Sequence, residues 1–188
     1  MSETNEKKFP RMTEKDRKQF SKPVDAAQWL LGKVICRKIS DKDVLRLYIT
    51  ETEAYDYKDE ACYGYDPQVG YAHIGKRTDA NAPLFEKQAG TGCVFGGMLL
   101  ISCGEKGNPD NVLIRSAGNE QVYFNGPYKI YKGMQLNKDL SNHDLLKSDD
   151  LWLEYPAEEN PCCQTTRVRL PKSVGKQSRE SKHRFIIL

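Results

Sequence analysis

The sequence predicts an α+β domain whose dominant element is an antiparallel β-sheet. Three observations predict it. Short apolar or alternating runs, set apart by turn residues, recur along the chain and read as strands. Helix punctuation is clear at only two places, Pro23 and Asn125-Gly126-Pro127. A length of 188 residues suggests one domain, two at most, and a 38% hydrophobic content with 10% aromatics is enough to build its core.

Taken in order, residues 1–20 read as a charged, mostly disordered leader or a short frayed helix, which leaves 21–188 as the domain. Pro23 suits the first turn of a helix over 24–31, because its missing N–H would have no partner there, and Gly32 stops it. Residues 34–39 read as a strand and 40–43 as a turn. A long strand follows over Val44–Tyr55. Residues 56–92 are rich in Gly, Asp and Tyr and read as a long functional loop region with one short helix. Residues 94–103 and 112–116 read as buried strands. A helix then runs from Pro127 to about Leu136, and 151–155, 166–170 and 183–187 read as further strands. There is no internal repeat and no low-complexity block.

The longest apolar stretches, 99–102 and 185–188, fall far short of the roughly 20 residues of a membrane helix. The first residues are charged and lack an apolar signal-peptide core, so an intracellular location is expected: cytoplasm or nucleoid in a bacterium, nucleus in a eukaryote. Six cysteines include no C-x-x-C pair, and reduced thiols are the default in such a compartment. His73, His143 and His183 are far apart, and no metal site is expected. The net charge of +3 hides a polarised distribution. Residues 1–22 carry seven basic and four acidic groups, 23–164 carry 15 and 21, and 165–188 carry seven and one. One reading is simple solubility. The other is a basic C-terminal stripe that suits an anionic polymer such as nucleic acid.

The strand Val44–Tyr55 carries the chemistry. With period two, Leu45, Leu47, Ile49, Glu51, Glu53 and Tyr55 share a face, so an apolar face runs into two carboxylates and an aromatic. Burying a carboxylate costs several kcal/mol unless it is paired or neutralised, a cost most readily tolerated where it does chemistry. Alternatively the strand end frays and both acids sit at a wet rim. Two carboxylates roughly 7 Å apart can serve hydrolysis of a glycosidic bond, with Tyr55 as a platform for a flat ring.

At Glu51-Thr52-Glu53-Ala54-Tyr55 the chain resembles the alkyladenine DNA glycosylase family, the mammalian-type 3-methyladenine DNA glycosylases. The resemblance includes Leu31-Gly32-Lys33-Val34, Asp59-Glu60-Ala61-Cys62, Arg77-Thr78, Leu84-Phe85, Gly97-Met98, Val112-Leu113-Ile114-Arg115, Gly126-Pro127 with Lys129, Arg167-Val168 and Arg184-Phe185, in the family's order over roughly 20–188. It implies one compact domain around a curved antiparallel sheet. It also implies a monomer that extrudes a damaged purine from double-stranded DNA into a pocket, without metal or redox cofactor and without a lyase step. By resemblance Glu53 is the general base that activates water, and Glu51 is a supporting acid. Tyr55 stacks on the base, Arg115 holds the extruded nucleotide's phosphate, and Lys129, near a helix start, suits another phosphate. Arg77 and Arg167 join the expected DNA-binding set, with Arg169 and Arg184 as further candidates for a DNA-facing edge. Alkylated purines (3-methyladenine, 7-methylguanine, hypoxanthine) are the implied substrates. A non-catalytic DNA-binding member and a nucleoside hydrolase are the alternatives.

The departures from the family pattern fall at the pocket. Tyr63 stands where the family has a pocket His, and the link to Arg77-Thr78 is longer and contains Tyr71 and His73, either of which can fold back or stay exposed. The family's Y-x-x-Y-G-M arrangement is shortened to Phe95-Gly96-Gly97-Met98. Phe95 is the expected replacement for the pocket aromatic. Gly96 holds the position of the aromatic that wedges into the duplex, and Met98 or Leu99 are substitutes for it. Cys103 aligns with the family's pocket Asn.

Overall fold

The structure, a computed structural model, describes residues 9–156 and 162–187. Eleven strands are present among them: β1 (Val34–Lys38), β2 (Val44–Tyr55), β3 (Tyr65–Asp66), β4 (Tyr71–Ala72), β5 (Gly92–Phe95), β6 (Met98–Ser102), β7 (Asn111–Gly118), β8 (Tyr123–Asn125), β9 (Leu151–Glu154), β10 (Cys162–Thr165) and β11 (Arg184–Ile187). Four short α-helices accompany them: α1 (Pro23–Leu30), α2 (Ala82–Glu86), α3 (Pro127–Gly133) and α4 (Lys176–Glu180). Nine of the strands form one antiparallel sheet in the order β10-β11-β2-β7-β6-β5, with β1 joining β2 to β9 and β8 extending β7. The fold is thus α+β in one domain, as expected. Among the described residues no helix is long and apolar enough to cross a membrane.

β2 is the spine. Its first half pairs with β1, and its second half lies between β7 and β11. Its ladder with β7 is irregular at two adjacent points: Ile49 faces Ala117, Glu51 faces Ser116, and Thr52 faces Ile114. Thr50 is the extra residue on β2 and Arg115 the extra residue on β7. A bulge inserts one residue and sends the following side chains to the other face. Leu47 and Ile49 therefore belong to the main core with Ala26, Ala27 and Leu30 of α1, and beyond the bulge so do Thr52 and Ala54: Ala54 packs in that core, and the Thr52 hydroxyl donates to the Ala27 carbonyl at 2.7 Å. Glu51, Glu53 and Tyr55 are left on the opposite face. The expectation that they continue the Leu47–Ile49 face is corrected here, since strict alternation holds only along an unbroken ladder.

Other boundaries also move. The apolar run over 94–103 is two strands, β5 and β6, joined by Gly96-Gly97. Both glycines have positive φ, +59° and +74°, the backbone that a two-residue hairpin turn demands. The stretch 166–170 is not a strand. The edge strand is β10, four residues earlier, and Arg169 at φ +58° interrupts extension. The loop region 56–92 holds the β3–β4 hairpin, a 3-10 turn over Ile74–Lys76 and α2. The helix expected to reach Leu136 ends at Gly133.

The N-terminal segment is packed rather than loose from residue 9 onward; residues 1–8 lie outside the described part. Its backbone runs beside β9, with the Met12 N–H donating to the Leu153 carbonyl at 2.9 Å. A 3-10 helix over Glu14–Phe20 delivers Phe20, fully buried, edge-on to Trp29 at 5.6 Å. Truncating a fully buried Phe costs about 3–5 kcal/mol. Phe20→Ala is therefore expected to lower the urea midpoint of unfolding by that equivalent, whereas a leader residue would change nothing.

Asp110 sits where the chain enters β7 and accepts the Tyr57 N–H. Burial, reinforced by Asp56, pushes its carboxyl up to about 6. The folded carboxyl binds its proton more tightly than the unfolded one. The native state is thus penalised progressively as pH rises above about 4, fully so above about 6. Asp110→Asn, which keeps an acceptor for Tyr57, is expected to gain about 1–2 kcal/mol at pH 8, discounted for screening, and nothing at pH 4. Denaturation at the two pH values checks this.

Candidate active site

A cavity of about 380 Å³ opens on the face to which the bulges turn the acids. Its sheet wall is Tyr55, Met98, Leu100, Leu113 and Arg115. Tyr63 and Ala61 close it from the loop after β2, and Pro127 comes from the start of α3. The far wall is the segment from Val168 to Pro171. A larger cavity of about 510 Å³ lies across the β5–β6 hairpin, lined by Pro83, Val94, Phe95, Gly96, Gly97 and Tyr131 among others; neither acid lines either cavity, and the hydrogen-bond donors to Glu53 line only the first.

Glu53 is fully buried and does not itself line the first cavity; it lies behind the residues that do. One carboxylate oxygen accepts the Tyr55 hydroxyl at 2.8 Å and the Arg115 guanidinium at 3.3 Å, and the other accepts the Val168 N–H at 2.9 Å. All three donors belong to residues that line the cavity, so the carboxylate is separated from it only by its own hydrogen-bond donors. Glu51 is tied down more fully. It accepts from Arg115 at 2.9 Å, from Arg184 at 2.6 Å and from the Ser116 hydroxyl at 2.8 Å. Burial works against its charge, but Ser116, Arg184 and Arg115 together outweigh burial and hold the carboxyl below its usual range. Arg115 bridges both acids and is itself nearly buried. Burial, then the neighbouring Glu53 charge, raises the Tyr55 phenol far above its ordinary range, so its hydroxyl remains a donor.

The aromatic groups take unequal places. Tyr55 and Tyr63 line the cavity. Phe95 does not: it meets Tyr63 edge-on at 4.8 Å and lines the neighbouring cavity, so it supports the wall from behind. Cys103, expected in the pocket, is turned away. Period two along β6 sends Met98 and Leu100 to the pocket and Leu99, Ile101 and Cys103 to the main core, where Cys103 is 2% exposed. Met98 reaches the cavity wall. Neither Tyr71 nor His73 folds back. His73, just after β4, faces Asp66 of β3 at 3.3 Å and accepts the Gly75 N–H of the 3-10 turn, and Tyr71 is exposed.

The expected DNA contacts divide in the same way. Arg167 is not at the surface. Its side chain is wholly buried, 2.5 Å from Asp59, donating to the Ala54 and Ser178 carbonyls, with its guanidinium 4.8 Å over the Tyr55 ring. A buried cation of this kind needs its partner, because an unpaired charge in the interior costs several kcal/mol. Asp59 answers it. Burial opposes its charge, yet His183, the Ala61 N–H and Arg167 hold its carboxyl below the usual range. Arg184 is committed to Glu51. Arg77 pairs with Glu86 at 2.5 Å on the α2 side. Lys129 and Arg169 are exposed, and Arg169 lies on the cavity wall. Sequence reasoning missed the Val168–Pro171 wall and the Ser116 hydroxyl. Pro171 just after the presumed strand was the one local sign that 166–170 does not belong to a sheet.

A sequence model of the methylpurine-DNA glycosylase family matches residues 18–188. A protein of Francisella tularensis subsp. tularensis is 30% identical over 190 aligned positions, covering 88% of this chain and 90% of its own. One from Clostridium botulinum is 28% identical over 173 positions, covering 77% and 81%. One from Borreliella afzelii is 31% identical over 140, covering 68% and 70%. All three carry 3-methyladenine DNA glycosylase as a provisional name. With the match running from residue 18 to the last residue, the chain belongs to the methylpurine-DNA glycosylase family.

Proposed function

We propose that the cavity receives one alkylated purine extruded from duplex DNA and that Glu53 activates the water that attacks C1′ of its deoxyribose. As a member of its family the chain is a DNA glycosylase, a hydrolase of N-glycosyl bonds. The observation that carries the catalytic assignment is the position of Glu53: a fully buried carboxylate whose hydrogen-bond donors, Tyr55, Arg115 and Val168, are all cavity-lining residues.

Chemistry on a base requires its removal from the stack. Tyr55 and Tyr63 offer flat surfaces to the extruded purine. Glu53 takes a proton from water as its oxygen bonds to C1′, and the base departs with the electrons of the N-glycosidic bond. Arg115 orients Glu53 and locks Glu51 beside it; Glu51 acts through Arg115 and Ser116 rather than on substrate. Arg169 and Lys129, exposed near the cavity, provide cations for backbone phosphates. The substrates are 3-methyladenine and 7-methylguanine, whose positive charge already makes them good leaving groups, with hypoxanthine a more demanding one. The chain acts as an intracellular monomer on double-stranded DNA.

Release of 3-methyladenine from methylated duplex DNA tests this. Glu53→Gln is expected to slow release by about 100- to 10,000-fold, the usual worth of a positioned general base, with unchanged thermal unfolding. Salt-sensitive DNA binding by the wild type with no release would favour a non-catalytic member, and release from free nucleosides alone would favour a nucleoside hydrolase. Tyr55→Phe keeps the ring and removes one donor to a charged acceptor. It is expected to slow single-turnover release about tenfold while leaving DNA affinity within twofold.

A further inference from the structure

The turn between β5 and β6, Gly96-Gly97, carries no side chain; its two glycines line the larger cavity, and the next residue, Met98, lines the candidate site. An aromatic from another element occupies that space. The Tyr128 ring lies against Gly97, so close that a Cβ there would fall 2.9 Å from its Cδ2 and 3.3 Å from its Cε2. Tyr128 is 59% exposed. Its inner side is backed by Tyr131, stacked at 6.0 Å and 25°, and the Lys132 ammonium lies 5.6 Å from its centroid. Its chain neighbour Pro127 lines the cavity, as does Met98, the residue after Gly97. Val69, Tyr71, Ile74, Val122 and Tyr123 are also exposed, but none adjoins a lining residue in the chain.

A base that leaves the stack leaves a gap, and unstacking costs a few kcal/mol unless a side chain fills it. We infer that Tyr128, presented by α3 and not by the hairpin, is the side chain that enters the duplex where the base leaves. The inference rests on the base-extrusion reading above. The bare turn at Gly96-Gly97 makes room for the ring, Tyr131 braces it, and the exposed Lys129 on the same helix faces solvent where flanking phosphates would pass. Met98 is less suited, because it is already part of the cavity wall.

Binding to a duplex with one tetrahydrofuran abasic analogue, which has a gap and nothing to extrude, isolates this step from catalysis. The full-length wild type is expected to bind it about 5- to 100-fold more tightly than the same duplex intact, the range for stacking one aromatic in the helix. Y128A, and Y128S as a second truncation, should bring that ratio close to one with unchanged thermal unfolding, while Y128F preserves it. A wild type without preference, a Y128A that keeps the preference, or its loss in M98A in place of Y128A each overturns the assignment. Base release measured alongside on methylated duplex reports on the glycosylase reading separately, since the gap preference needs no bond cleavage.

Discussion

The ladder between β2 and β7 contains one extra residue on each strand, Thr50 and Arg115, and the site depends on that pair of bulges. Without them, alternation would carry Glu51 and Glu53 into the α1 core beside Leu47 and Ile49. Two carboxylates there would each face a desolvation cost of several kcal/mol with no partner. With them, one strand serves an apolar core on one side of the sheet and, on the other, places two buried acids behind the pocket wall. The extra residue of β7 is also the cation between the two acids. The irregularity thus supplies both the direction of the carboxylates and their counter-charge.

A second constraint closes the pocket. The cavity wall from Val168 to Pro171 and the loop bearing Ala61 and Tyr63 have little secondary structure of their own. The buried pair of Asp59 and Arg167 joins them, and Arg167 extends to Ala54 on β2 and to the backbone ahead of β11. The net contribution of a buried pair to stability is small, because desolvation offsets attraction; its effect is to set how segments register with one another. The same pair places a cation over Tyr55 and brings the Val168 N–H to Glu53. It also changes the meaning of the basic C-terminal segment. Arg167 and Arg184 serve internal carboxylates, so the surface charge of that segment is smaller than its composition implies.

Much of the fold was legible in the residues. The bounds of β2, the start of α1 at Pro23 and the start of α3 at Pro127 follow from local pattern and from the fixed φ of proline, and the structure agrees with each. The β5–β6 run was misread because a Gly-Gly pair within continuous apolar sequence looks like a small-residue gap until its positive φ is known. Residues 166–170 were misread because Val168 and Leu170 alternate with arginines, a pattern shared by a strand and by an irregular segment against a pocket. The N-terminal segment looked loose because its charges outnumber its anchors, yet Met12 and Phe20 are enough to dock it.

The sequence by itself determined the class of fold, the strand that carries the acids and, through the Glu51-Thr52-Glu53-Ala54-Tyr55 run and the blocks in order around it, the family. Those features reside in periodicity and in short spacings, which are local. Which face the acids occupy, which arginine meets which carboxylate, and that Cys103 turns inward while Arg115 faces the pocket were decided only by the tertiary structure. The reason is physical. A bulge is a mismatch between two strands and has no mark on either alone, and the partner of a buried charge is whatever the fold brings within hydrogen-bonding distance across scores of intervening residues.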